Sequence, residues 1–203
     1  MAPSPALVRA LRPRPAALRL AAAGALGLVA GSLLTGCIVE APGGASPAAR
    51  RQATVAQLPP LTVKSGANFE GKVEVVGATL QPGRVVPGEP VRVTLFFKVL
   101  APLTEDYLVF VHVEDAAGRS ERLNLDHRPA SGLYPTSAWR VGETVKDEFT
   151  FTLPSREPVP ANVSILFGFW QPQSDRRLKL SNPQAVRSDG NDRVLLAQLP
   201  VAR

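Results

Sequence analysis

The sequence predicts an all-β fold, an antiparallel β-sandwich of immunoglobulin-like or jelly-roll topology, and three observations predict it. From Phe69 onward, short β-branched and aromatic runs alternate with Pro/Gly turns. Two of those runs place apolar residues at every second position, as a half-buried strand requires. No stretch between the turns holds a 3.6-residue apolar period for about ten residues, so the helices of a parallel α/β sheet have nowhere to form.

The first 36 residues follow a different rule. Arg9, Arg12, Arg14 and Arg19 stand there without an acid, and Leu20 to Gly36 run without a charge. A basic segment followed by an apolar one of this length is the layout of a signal peptide. The stretch "LLTGC", residues 33 to 37, holds the only cysteine of the chain. Leu34-Thr35-Gly36-Cys37 resembles the lipobox of bacterial lipoprotein signals. That resemblance implies removal of residues 1–36, a diacylglycerol on the Cys37 thiol, and acylation of the new amino group where the organism carries out that step. Two or three acyl chains hold a protein stably, whereas one is marginal. The competing reading is an uncleaved membrane span, which asks for about 20 apolar residues; this run is Gly- and Ala-rich and barely that long. Ile38 follows the cysteine where many inner-membrane lipoproteins carry Asp, which favours the outer membrane, facing the periplasm, in a Gram-negative cell.

Charge has to be read for the mature chain. The full sequence has 23 basic and 17 acidic residues; removing the four leader arginines leaves 19 against 17, a net of +2 instead of +6. A nucleic-acid partner therefore loses its main support. With Cys37 lipidated no thiol remains, so neither a disulfide nor a thiolate metal site is expected, and the domain stands on its core alone.

From Cys37 to Asn68 the composition is Pro, Gly, Ala and Ser without aromatics or a clear period, which reads as a flexible tether. The sandwich is expected over residues 69–203, long enough for one core. Val73–Leu80 supplies its first strand. Val91, Val93, Leu95, Phe97 and Val99 then share one face opposite Arg92, Thr94 and Lys98. Tyr107–Val113 and Val163–Trp170 are apolar on both faces, as central strands covered on both sides should be. In Val145–Leu153, Phe149, Phe151 and Leu153 face in, with Lys146, Glu148, Thr150 and Thr152 out. Arg193–Val201 closes the set, and turns fall at Pro82-Gly83, Pro87-Gly88-Glu89-Pro90, Ala117-Gly118, Val141-Gly142-Glu143 and Asp189-Gly190.

Chemistry is sparse. The chain has two histidines, His112 and His127, and no G-x-S-x-G, H-E-x-x-H, P-loop or G-x-G-x-x-G. The polar stretch "LDHRPASGLYPTSAW", Leu125 to Trp139, is the place to weigh function. A hydrolytic site with His127 as base is conceivable, but Asp126 is badly placed to orient its own neighbour, because adjacent side chains of an extended segment point oppositely. A metal site from His112, Asp126, His127 and Asp147 shows no ligand spacing. His112, on a face with Leu108 and Phe110, is expected as a hydrogen-bonded core residue. Asp147 shares the inward face with Val145 and Phe149, where a bare carboxylate costs several kcal/mol. It is expected to clamp the 126–139 loop through a backbone N–H or Arg128. Tyr134, Trp139, Trp170 and Phe169 are either a stacking platform for a sugar ring or plugs of the sandwich, with core packing favoured.

Val85 to Pro154 resembles the β-sandwich at the C-terminal end of some bacterial membrane glycosyltransferases related to the protein mannosyltransferases. The text is "PGEPVRVTLFFKVLAPLTEDYLVFVHVED" and then "YPTSAWRVGETVKDEFTFTLP"; Gly88, Phe110-Val111-His112, Pro135-Thr136-Ser137, Trp139, Gly142-Glu143, Asp147 and Pro154 carry it. "ILFGFWQP" and "DGNDRVLLAQLPV" continue it. The transferase chemistry of those enzymes lies in a multi-spanning portion with no counterpart here, so the resemblance implies a non-catalytic sandwich. The expectation is a lipid-anchored envelope lipoprotein without a cofactor. Its ligand would be a glycan, met by Tyr134, Trp139, Trp170 or His127, or it would dock on an envelope protein, for instance by strand addition.

Overall fold

The computed structural model describes residues 44–120 and 122–202. The leader, Cys37 and the residues up to 43 lie outside the described residues, and so do the expectations that rest on them. Nine strands form two antiparallel sheets. The first contains β1 (Val63–Phe69), β2 (Val73–Gln81), β3 (Pro90–Val99) and β6 (Thr144–Thr152), in the order β1-β2-β3-β6. The second contains β4 (Leu108–Asp115), the short β5 (Leu123–Asn124), β7 (Asn162–Gln171), the short β8 (Arg176–Arg177) and β9 (Val194–Pro200). Its order is β5-β4-β7, with β8 and β9 pairing successive parts of the far side of β7.

The chain crosses between sheets after β3, after β5 and after β6. Strands β2, β3 and β6 thus take the A, B and E places, and β4, β7 and β9 the C, F and G places, of an immunoglobulin-like sandwich. This decides the topology that strand spacing leaves open. Register follows the alternation: Val91, Val93, Leu95 and Phe97 pair with Phe151, Phe149, Asp147 and Val145, and all of them are buried. The core's aromatic centre comes from both sheets, with Phe97 5.1 Å from Phe169 and Phe69 5.2 Å from Phe169, centroid to centroid.

The tether ends earlier than Asn68. Ser46 caps helix α1 (Pro47–Ala53) by accepting from the Ala49 N–H at 3.1 Å, and Pro47 opens the helix without needing a donor. Ala53 is 1% exposed, Thr54 bridges to Val145, and Val55 N–H donates to the Thr144 carbonyl at 2.9 Å. Arg50 pairs with Glu143. Strand β1 then precedes the expected start of the domain. Neither element is visible as a period, because a seven-residue helix with a single buried alanine has almost no apolar stripe. In β1 a bulge shifts the register between Lys64 and Ala67, at Gly66, whose φ is +77°.

Both faces of the second sheet are covered. Phe110, His112, Leu166 and Gly168 point away from the core yet are buried, because the chain between β8 and β9 folds back over them. The Arg177 guanidinium sits 4.7 Å above the Phe110 ring. A Cβ on Gly168 would lie 2.6 Å from both the Asp192 carbonyl oxygen and the Phe110 ring, so this strap rests directly on β7. The outward apolar residues of β4 and β7 therefore have a cover within the chain.

Candidate functional site

After β5 the chain continues beside β4 out of regular register. Leu125 N–H donates to the Val111 carbonyl at 2.8 Å, and Val109 and His127 exchange backbone bonds of 2.9 and 3.0 Å. Between them the Val111 N–H is taken by the Asp126 carboxylate at 3.1 Å. Asp126 thus completes the strand ladder and does not orient its neighbour.

His127 turns instead toward β6. Its Nε2 lies 2.8 Å from Asp147 Oδ2 and its Nδ1 2.7 Å from the Leu125 carbonyl oxygen. A carbonyl and a carboxylate only accept, so both ring nitrogens donate and the ring is an imidazolium. Burial works against that charge, but the hydrogen bond and the charge of Asp147 outweigh it and raise the pKa above the ordinary histidine value. The other oxygen of Asp147 accepts from the Ala130 N–H at 2.8 Å. Of the two expected ways to clamp the loop, the carboxylate uses the backbone N–H; its cationic partner is His127, and Arg128 is exposed.

The clamp holds a backbone that would not persist alone. Ala130 and Ser131 have φ of 52° and 56°, left-handed conformations that cost a non-glycine residue about 1–2 kcal/mol each. Further bonds fix the rest of the loop. Thr136 Oγ1 donates to the Glu105 carbonyl at 2.7 Å and accepts from the Tyr107 N–H at 2.8 Å, and Asp106 accepts from the Ser137 N–H at 3.1 Å. Tyr134 donates its hydroxyl to Glu143 at 2.7 Å, the same carboxylate that holds Arg50. Its pKa is pushed up to about 12, by burial first and then by that carboxylate.

Tyr134 and Trp139 are 1% and 4% exposed, which corrects their candidacy as a stacking surface. Trp139 lies 5.8 Å from Phe97 in a stacked arrangement and donates its Nε1–H to the Tyr134 carbonyl. Both seal the core. Trp170 differs: it is half-buried, pairs in register with Leu108, and donates to Asp175 at 2.9 Å. His127 is likewise no contact for a ligand's proton chemistry, since neither nitrogen is free to take one. His112 accepts from Arg193 at 2.8 Å and is held neutral, by burial and then by the charges of Arg122 and Arg193, which lower its pKa. The two histidines therefore serve separate networks. Among the described residues no cluster of three or more His, Cys, Asp or Glu is placed to hold a metal.

Beside the clamped loop lies a groove of about 390 Å³. Leu108, Pro129, Pro135 and Pro172 give it an apolar lining, and Asp106, Arg128 and Gln173 give it polar groups. Trp170 shares the outer face of the sheet with Leu108. Sequence reasoning placed Trp170 and the loop here, but not Leu108, Pro172 or Gln173. Those come together only because the β3–β4 loop and the turn after β7 meet at one end of the sandwich.

No family model matches the chain. No curated protein matches it either. Among solved structures the chain is similar to the C-terminal domain of Wzt, with 12% identity and a TM-score of 0.48 over 71% of this chain and 83% of that one. It is similar to the Pseudomonas fluorescens alkylpurine DNA glycosylase AlkC, solved bound to DNA containing an abasic site analog, with 11% identity and a TM-score of 0.43. That match covers 68% of this chain and 32% of the glycosylase, so the chain spans about a third of it. A CARDB domain from Pyrococcus furiosus matches with 15% identity and a TM-score of 0.32, over 73% of this chain and 98% of that one. Likenesses this distant carry no argument about function.

Proposed function

We propose that this chain is a lipid-anchored lipoprotein of the bacterial envelope whose sandwich is a non-catalytic binding module, with a glycan as its ligand. The observation that carries the reading is the groove beside the clamped loop, with its proline-rich lining, its flanking Trp170 and its rim of Asp106, Arg128 and Gln173. A sugar ring offers apolar C–H faces and hydroxyls at its edges, and such a groove answers both. Rigidity supports it further, since a loop already ordered by Asp147 loses little entropy on binding. The anchor rests on the Leu34-Thr35-Gly36-Cys37 motif, and the non-catalytic character agrees with the resemblance to the glycosyltransferase sandwich.

The test is titration of the lipidated chain with envelope polysaccharides and peptidoglycan fragments, followed by Trp fluorescence. A saturable change that weakens at least tenfold in Arg128→Ala, with unfolding unaltered, supports the reading. A flat signal across the panel overturns the glycan ligand. Cross-linking in cells would then look for a protein partner.

A further inference from the structure

The two ends of the sandwich differ in what they expose. Val141 is 57% exposed and Leu100 36% exposed. They are neighbours: Gly142 N–H donates to the Val99 carbonyl, and Val99 N–H to the Glu143 carbonyl, both at 2.9 Å. Lys98 reaches the same turn, donating to the Gly142 carbonyl at 2.6 Å. Lys98, Arg140 and Arg51 are in no ion pair among the described residues. The carboxylates of that end are already engaged, Glu143 by Arg50, Glu70 by Lys72 and Arg176, and Glu105 by Arg176. An apolar tip set among free cations fits an anionic lipid surface.

The path of the chain points the same way. Helix α1 is fastened beside this tip, through Arg50 to Glu143 and through Val55 to Thr144. Seven helical residues are only about 10 Å long, so the chain joins the sandwich at this end. Residues 38–45 alone separate Cys37 from the helix cap. Such a connection reaches about 30 Å fully extended and about 17 Å on average. The opposite end lies one strand length away, about 30 Å along the ten residues of β3. Bringing that end to the lipid would need every connecting residue stretched.

We propose that the Leu100–Val141 end is the membrane-facing surface of the domain, with both side chains among the headgroups and Lys98, Arg140 and Arg51 over anionic lipid. This rests on lipidation of Cys37. The test uses the full chain made in a lipoprotein-processing bacterium and reconstituted in vesicles of phosphatidylethanolamine and phosphatidylglycerol. Val141→Cys or, at the far end, Ser155→Cys carries an environment-sensitive label, because a lipidated Cys37 leaves the new thiol as the only one. The expected result is at least twofold stronger quenching by a headgroup nitroxide at 141 than at 155, lost in phosphatidylcholine vesicles or with Lys98→Ala and Arg140→Ala together. Equal quenching at both positions in chains that float with the vesicles overturns the orientation and leaves the anchor standing. Protection at 141 that depends on protein concentration instead of lipid assigns the tip to a second copy of the chain and also overturns it. A chain that takes two labels and does not float removes the anchor, and this inference with it.

Discussion

At His127 a carbonyl and a carboxylate face the two ring nitrogens, so folding favours the cation; at His112 an arginine faces the ring, so folding favours the neutral form. The signs of the linkage are opposite. The raised pKa of His127 gives stability that is complete below the unfolded value, about 6.5, and is lost as pH rises through the folded value. The lowered pKa of His112 gives stability that is complete above about 6.5 and is lost as pH falls through its folded value. Denaturant unfolding between about pH 5 and 9 should show His127→Gln flattening the alkaline limb and His112→Gln the acid one. Asp147→Asn should cost about 3 kcal/mol and abolish the alkaline dependence, because it removes the charge that holds the imidazolium; an unchanged thermal midpoint would remove the clamp from the account. The inward position of Asp147 is legible from the alternation of Val145, Asp147 and Phe149. Its partner is not, since His127 reaches it only after Asp126 has bent the strand, and no local spacing encodes that. Tyr134 and Trp139 are ambiguous in sequence for a related reason. An aromatic in a loop is core or surface depending on whether the loop folds inward.

Among the elements, the long strands are legible because sheet burial imposes a period of two on residues that are themselves β-branched or aromatic. Helix α1 is held by partners far away in sequence, so its stability is tertiary and its signal local only in Ser46-Pro47. Ala53→Asp, placing a charge at a fully covered position, should release the helix while the sandwich persists. Hydrogen exchange at the Val55 N–H should then accelerate by at least tenfold, with β3 and β7 unchanged. The strap over β7 is tested by Gly168→Ala. The added methyl meets the Asp192 backbone and the Phe110 ring, so a cost of roughly 1–3 kcal/mol and faster proteolysis between Leu178 and Arg193 are expected. If Gly168→Ala unfolds like the parent and resists protease equally, the strap is not seated on β7.

For the molecule as a whole, the two tryptophans divide between its interior and its rim. Acrylamide should quench Trp170 and leave Trp139 nearly untouched, so that Trp170→Phe yields a chain with blue-shifted, protected emission. Any fluorescence response to a ligand then reports the groove and not the core. The docked helix has a mechanical consequence as well. Tension on an anchored Cys37 would first meet α1 and its few bonds to β6, which peel one after another. Peeling residues 46–62 pays out roughly 55 Å of chain before β1, locked into its sheet along its length, takes the load in shear. The attachment would behave as a spring with a soft first stage and a stiff second one, letting the domain follow an undulating bilayer without unfolding.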